Sequence, residues 1–231
     1  SLFGPRARDI LETVTRDDAS DDAFPFATSR LIGIAGCPVR AMRITYVGEL
    51  GWELHLPVEY ALSVYEALHA AGAEHGLRNA GYRAIETLRL EKGYRAWGSD
   101  IGPDFNPFEA GLGFAVKMKK NTDFRGREAL SRQKSDGVKR ILATFTTDAD
   151  VILSGRETIY RNGQRVGYLS SAGFGHTLGR SIGMGYVRSD TVIDRDYVLS
   201  GEYELEVAMT RVPCTIGLAP LVDPKMEKVK C

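Results

Sequence analysis

The sequence predicts an α+β fold, an antiparallel sheet with helices on one face, followed by a small all-β barrel. Three observations point there. Apolar residues alternate with period two over 41–47 and 51–56, then recur at helical spacing over 58–73 and 82–88. From Lys139 onward the period returns to two. Within that last region Asn162-Gly163 is the strongest short-range hairpin signal in the chain. The expected division is an α+β domain over 1–120, a helical connector over 121–138 and the barrel over 139–231.

Pro5 to Thr13 reads as a short helix with Ala7, Ile10 and Leu11 on one side. The run Leu31 to Ala35 reads as a strand. Residues 41–47 place Met42, Ile44 and Tyr46 on one face and Arg43, Thr45 and Val47 on the other. Residues 51–56 place Trp52, Leu54 and Leu56 opposite to Glu53 and His55. Gly48 and Gly51 flank the connector symmetrically, which favours an even loop. Tyr46 then pairs with Glu53 and Ile44 with His55, and Trp52 and Leu54 face the core.

Val58 to Ala73 reads as an amphipathic helix with the stripe Leu62, Tyr65, Leu68 and Ala71, entered at Pro57 and ended by Gly76. A second helix carries Tyr82, Ile85 and Leu88 and stops at Gly93. Residues 121–133 give a turn and a helix, and Asp136-Gly137 a further turn. Two strands followed by two helices make a layer in which helices cover one face of an antiparallel sheet.

With 43% hydrophobic and 26% charged residues over 231 positions, the chain has the composition of a globular protein. Thirty basic residues balance thirty acidic ones, which argues against nucleic acid or an anionic membrane as the main partner. No apolar run approaches the roughly 20 residues that span a bilayer. The N-terminus has no initiator Met and no signal-peptide core, and reads as the start of a piece cut from something longer. Cys37, Cys214 and Cys231 are odd in number and far apart, which favours a reducing compartment. His55, His69, His75 and His176 show no metal-ligand spacing, so no metal site is expected.

No phosphate-binding loop, complete dinucleotide fingerprint or nucleophile elbow is present. The remaining chemistry is carboxylates beside aromatics. Glu53 next to Tyr46 could hold a flat heterocycle, because a carboxylate accepts two parallel hydrogen bonds from adjacent N–H groups. Residue statistics alone favour a solvent-exposed strand glutamate there. Gly81 to Gly113 crowds Asp100, Asp104, Asn106 and Glu109 between two prolines, beside Tyr94 and Trp97. Such a loop is either the wall of a site or a well-capped connection. Glu91 reads as an ion-pair partner of Arg95 or Lys92, and Trp97 as a core residue.

The segments Tyr46-Val-Gly-Glu-Leu-Gly-Trp-Glu53 and Leu88-Arg-Leu-Glu-Lys-Gly93 resemble the aminomethyltransferase (glycine-cleavage T-protein) family. The resemblance is closest to the folate-binding C-terminal half of sarcosine and dimethylglycine dehydrogenases. Arg95-Ala-Trp-Gly98, Asn106-Pro-Phe-Glu-Ala-Gly111, Phe124-Arg-Gly-Arg-Glu-Ala-Leu130, Ile159-Tyr-Arg-Asn-Gly163 and Gly183-Met-Gly-Tyr-Val187 follow in the family's order. The tail from Ser200 to Val229 looks more like sarcosine dehydrogenase.

The resemblance implies a protein that binds tetrahydrofolate at the centre of three small domains. By it, the glutamate at Glu53 holds the pterin's aminopyrimidine edge and Tyr46 lines the pocket. His55 belongs to the same polar face, and Tyr94 and Trp97 form a second tier of wall. In the dehydrogenases an FAD domain oxidises an N-methyl group, and the folate domain captures the carbon as 5,10-methylenetetrahydrofolate. FAD and the upstream FAD and folate domains are therefore expected in the intact polypeptide, which would be cytoplasmic in a bacterium and in the mitochondrial matrix of a eukaryote. Two departures matter. A folate-contacting arginine of the T-proteins aligns with Ile85, and the family's catalytic aspartate lies upstream of this chain, so no catalytic residue is assigned here. The alternative is a non-catalytic regulatory module on the same fold, like the regulatory subunit of pyruvate dehydrogenase phosphatase.

Overall fold

The computed structural model describes residues 1–230 and contains two compact units: residues 1–88 with the tail from 223, and residues 89–222. Residues 89–120, expected with the first domain, cluster with the barrel.

The first unit is a four-stranded antiparallel sheet in the order β1-β4-β3-β2, with β1 at Leu2–Phe3, β2 at Ser29–Ile34, β3 at Cys37–Met42 and β4 at Gly51–His55. Helix α1 (Ala7–Val14) buries Ala7, Ile10 and Leu11, the side its spacing predicts. The core gathers Leu11, Phe24, Ile34, Val39, Ala41 and Trp52. Phe24 meets Trp52 at 6.0 Å between ring centroids and 58° between planes.

The tight hairpin of this sheet is not where the glycine spacing puts it. Ile34 pairs with Cys37 across Ala35-Gly36, whose φ angles of 50° and 78° are those of a two-residue type I′ turn. The strand expected over 41–47 ends at Met42. Arg43 is 1% exposed, and its backbone bonds to Ala27 and Thr28 in place of β4. Its guanidinium reaches the Phe24 carbonyl at 2.7 Å and the Asp21 carboxylate at 2.5 Å. Met42, and not Tyr46, is therefore opposite Glu53, with Arg40 opposite His55. The slip is even, so facing is preserved: Trp52 is fully buried, and Glu53 and His55 point to the other face.

Helix α2 (Ala61–Gly72) follows a short 3₁₀ turn at Val58–Tyr60, and Gly76 takes φ 72° at its end. Its face differs from the expected stripe. Val64 is buried, Leu68 and Ala71 pack on the core, and Leu62 and Tyr65 are exposed. The helix is apolar over too wide an arc for spacing alone to choose a side. In α3 (Tyr82–Glu91) burial runs along the axis instead of around it. Tyr82 is 73% exposed, whereas Arg89, Leu90 and Glu91 are all buried.

The second unit is a closed six-stranded barrel in the order β10-β5-β8-β7-β6-β9. Its strands are β5 (Val138–Thr147), β6 (Thr158–Arg161), β7 (Gln164–Gly175), β8 (Arg180–Ile193), β9 (Tyr203–Val207) and β10 (Thr210–Gly217). Helices α4 (Arg127–Asp136), α5 (Arg195–Leu199) and, in the tail of the first unit, α6 (Glu227–Lys230) complete the elements. Asn162 and Gly163 form the expected hairpin tip, with φ 49° and 75° and Arg161 paired with Gln164. Phe145, Ile159, Leu169, Val187 and Leu205 fill the interior, while Leu142, Ile182, Met184 and Tyr186 form a second cluster with Leu90. Strand β8 is thus buried on both faces, which explains its unbroken burial from Ser181 to Val187. Among the described residues no helix is long and apolar enough to cross a membrane, and no cluster of His, Cys, Asp or Glu could hold a metal ion.

Candidate functional site

In the first unit the candidate site is the β3–β4 connection with the outward face of β4. The connection is irregular over 43–50 but well tied. Thr45 Oγ1 accepts the backbone N–H groups of Val47 and Gly48 at 3.2 and 3.1 Å. Gly51 holds φ 157°, and a Cβ there would lie 2.0 Å from the Leu2 carbonyl oxygen, so only glycine lets β1 approach β4. Tyr46 is half-buried within this connection, outside the paired strands. Two residues apart on β4, Glu53 and His55 share a face, with His55 Nε2 3.3 Å from Glu53 Oε2. Glu53 is 33% exposed and His55 56%. No described residue donates to the other carboxylate oxygen, Oε1.

Leu54 of β4 and Leu56 just past its end line a different feature. Leu54 and Leu56, with Leu2, Val64, Leu68 and Ile85, bound an apolar groove of about 560 Å³. Tyr65, His69 and Asn79 stand at its rim, where Asn79 donates to the Tyr65 hydroxyl at 2.8 Å and its Oδ1 is 2.9 Å from His69 Nε2.

Tyr94 and Trp97 belong to the second unit, in the turn after α3. Gly93 takes φ 67° and the Tyr94 N–H bonds to the Arg89 carbonyl at 2.9 Å, closing the helix. Trp97 is 75% exposed, against its expectation as a core residue. The turn is held from below by Asp100, fully buried. Its carboxylate accepts the Ala96 N–H at 3.0 Å, the Arg89 guanidinium at 2.5 Å and the Ser171 hydroxyl at 2.7 Å. Tyr186 donates to the Asp100 carbonyl at 2.9 Å. Burial, with the nearby Glu109 charge, raises the Tyr186 phenol far above its ordinary value and keeps it a donor. Burial also lowers Arg95, whose guanidinium donates to the Gly93 and Ala110 carbonyls.

Within the crowd of acceptors over 100–109, Asn106 and Glu109 cap the backbone. Asn106 Oδ1 accepts the N–H groups of Phe108 and Glu109 at 2.9 Å each, and Glu109 returns a bond to the Asn106 N–H at 2.9 Å. The capped-connection reading of this loop fits these bonds. Glu91, expected in an ion pair with a neighbour, instead accepts Thr177 N–H and Oγ1–H at 2.8 Å each and Leu178 N–H at 3.0 Å. Gly175 leaves room for it: a Cβ there would sit 2.9 Å from the Glu91 carboxylate.

Two family models cover this arrangement: the GCVT N-terminal domain over residues 1–120 and the glycine cleavage T-protein C-terminal barrel domain over residues 140–223. The chain belongs to the glycine cleavage T-protein family. Sarcosine dehydrogenase of Mus musculus is 47% identical over 100% of this chain and 25% of its own length. The pyruvate dehydrogenase phosphatase regulatory subunit of the same organism is 37% identical over 96% of this chain and 27% of its own. A crystal structure of glycine cleavage system aminomethyltransferase T from Bartonella henselae superposes with a TM-score of 0.70 at 25% identity, covering 80% of this chain and 50% of that one. The chain thus spans about a quarter of the length of these two curated T-protein-family relatives.

Proposed function

We propose that this chain is the tetrahydrofolate-binding portion of a one-carbon enzyme acting on an N-methyl amine such as sarcosine or dimethylglycine. The observation that carries the reading is Glu53 on β4, a third exposed and with Oε1 open, in the segment by which the chain resembles the family. A pterin presents adjacent N–H groups on its aminopyrimidine edge, and a carboxylate with one open oxygen and one lightly held at 3.3 Å suits a two-point contact. His55 then keeps Glu53 oriented, and Tyr46 in the tied connection supplies a wall. Bound tetrahydrofolate would supply the nitrogens that accept the released carbon as 5,10-methylenetetrahydrofolate. The catalytic aspartate and the FAD that oxidises the methyl group are assigned to other parts of the polypeptide. In a eukaryote the compartment would be the mitochondrial matrix, in keeping with the mitochondrial location in the name of the mouse sarcosine dehydrogenase.

The test is calorimetric titration of the intact protein with tetrahydrofolate. Loss of a charge-assisted bidentate contact in Glu53→Ala should weaken binding by about 10- to 100-fold. Equal affinity of wild type and variant removes Glu53 from the site.

A second reading follows from the regulatory subunit among the relatives: a non-catalytic module on the same fold. A dinucleotide fingerprint and the family aspartate upstream of Ser1 in the gene favour the enzyme, and their loss favours the regulator.

A further inference from the structure

The barrel carries a groove of about 660 Å³ with a basic lining. Lys139, Arg140, Arg165 and Arg188 stand in it against Glu109 and Asp190. On a chain with no net charge this is a local concentration of cations.

Arg140 on β5 and Arg188 on β8 are direct partners in the strand register. They share the parity of Leu142 and Tyr186, which lie on the face turned away from the barrel's interior cluster. Like charges opposite each other on paired strands repel. Arg140 is answered locally: its Nε is 3.0 Å from Glu109 Oε1, and its guanidinium lies 4.6 Å over the Phe105 ring. Arg188 is not. It lies 5.5 Å from the centroid of Tyr168, and Arg156 lies 5.6 Å from the same ring. The shared ring steadies two guanidinium groups without neutralising either. Among the described residues, no ion pair joins Arg156, Arg165, Arg188 or Lys139 to a carboxylate.

We propose that this groove binds an acidic peptide segment. Its cations are spread over β5, β7 and β8, and neighbouring strands lie about 4.8 Å apart. One small anion reaches only part of that span, whereas successive carboxylates along an extended chain reach several guanidinium groups, each a two-point partner for a carboxylate. Val166, Gly167 and Tyr168 give the intervening surface on which the peptide backbone and side-chain stems lie.

The test is fluorescence anisotropy of labelled hexaglutamate with the protein at low ionic strength. Arg165 and Arg188 are exposed, so Arg165→Gln and Arg188→Gln should fold, which circular dichroism checks. The expected results are binding that weakens with added sodium chloride, no binding of hexaserine or hexalysine, and at least a tenfold loss in the double variant. Hexaglutamate binding no tighter than hexaserine overturns the proposal, as does undiminished binding by the folded double variant. Full displacement by inorganic phosphate, beyond what sodium chloride achieves at equal ionic strength, also overturns it, because the groove would then be a single-anion site.

Discussion

Arg89 and Asp100 form an ion pair of 2.5 Å with side chains 1% and 0% exposed. The pair joins the last turn of α3 to the turn carrying Trp97, and Ser170, Ser171 and the Ala96 N–H complete the carboxylate's partners. Removing one member of such a pair leaves a buried charge and several donors unanswered. Asp100→Ala should therefore destabilise the protein by about 3–5 kcal/mol, read from urea unfolding. Asp100→Asn keeps the shape and part of the bonding, and should lose less. Equal stability of wild type and Asp100→Ala would mean that water replaces the carboxylate.

Glu91 performs a narrower task. Its carboxylate closes the loop at Thr177 and Leu178 with two backbone donors and one hydroxyl. Glu91→Ala leaves those groups without an acceptor and should cost about 3 kcal/mol. Amide hydrogen exchange at Thr177 and Leu178 should accelerate more than at the barrel strands. In Glu91→Gln the carbonyl oxygen still accepts both N–H groups, so exchange there should stay near wild type.

These two contacts mark the boundary of what the sequence discloses. Local signals were legible: the Asn162-Gly163 hairpin, the helix stops at Gly76 and Gly93, and the parity that buries Trp52. Long-range partners were not. Nothing near Glu91 in the sequence names Thr177, and Asp100 reads as a turn residue until Arg89 and Ser171 converge on it. The Ala35-Gly36 turn carries no clear sequence signal, because alanine seldom takes positive φ. The alternation expected as a strand over 41–47 continues to Val47, although the inward turn of Arg43 ends the pairing at Met42. For the candidate site, the shared face of Glu53 and His55 was legible from period two. The detachment of Tyr46 from the strand was not.

The salt links at Asp21 predict an acid-sensitive step. Its carboxylate meets Arg8 at 2.7 Å and Arg43 at 2.5 Å. Burial pushes its pKa up, but the bonds and charges of Arg8 and Arg43 outweigh this and hold it below the ordinary value of 3.8. The unfolded chain then takes up the proton first as pH falls. The contribution is complete above the ordinary carboxylate range and is lost as pH drops through the folded value. In Asp21→Asn the stability should be lower than wild type at pH 7, and the two should converge as the pH falls below 3.8 and through the lowered folded value. Parallel stability curves over that window would show that the links contribute nothing.

Cys214 on β10 gives a prediction at the alkaline end. Burial first, and then the charge of Glu204, push its thiol from 9.0 up to about 12. Glu204 is on the neighbouring strand β9, where it pairs with Pro213. Alkylation requires the thiolate, so at pH 8 the reactive fraction should be about a thousandth of that of an ordinary thiol. Iodoacetamide followed by peptide mapping should leave Cys214 unmodified in the folded protein and label it fully in urea. The sign for stability is the same as for any group whose pKa is raised on folding. The contribution is intact below pH 9 and is lost as pH rises toward 12, because the unfolded thiol ionises first. Cys214→Ala, which has no thiol to ionise, should therefore lose less stability between pH 8 and about pH 11 than wild type does. Rapid labelling of native Cys214 at pH 8 would place its thiolate in contact with solvent and refute the burial argument.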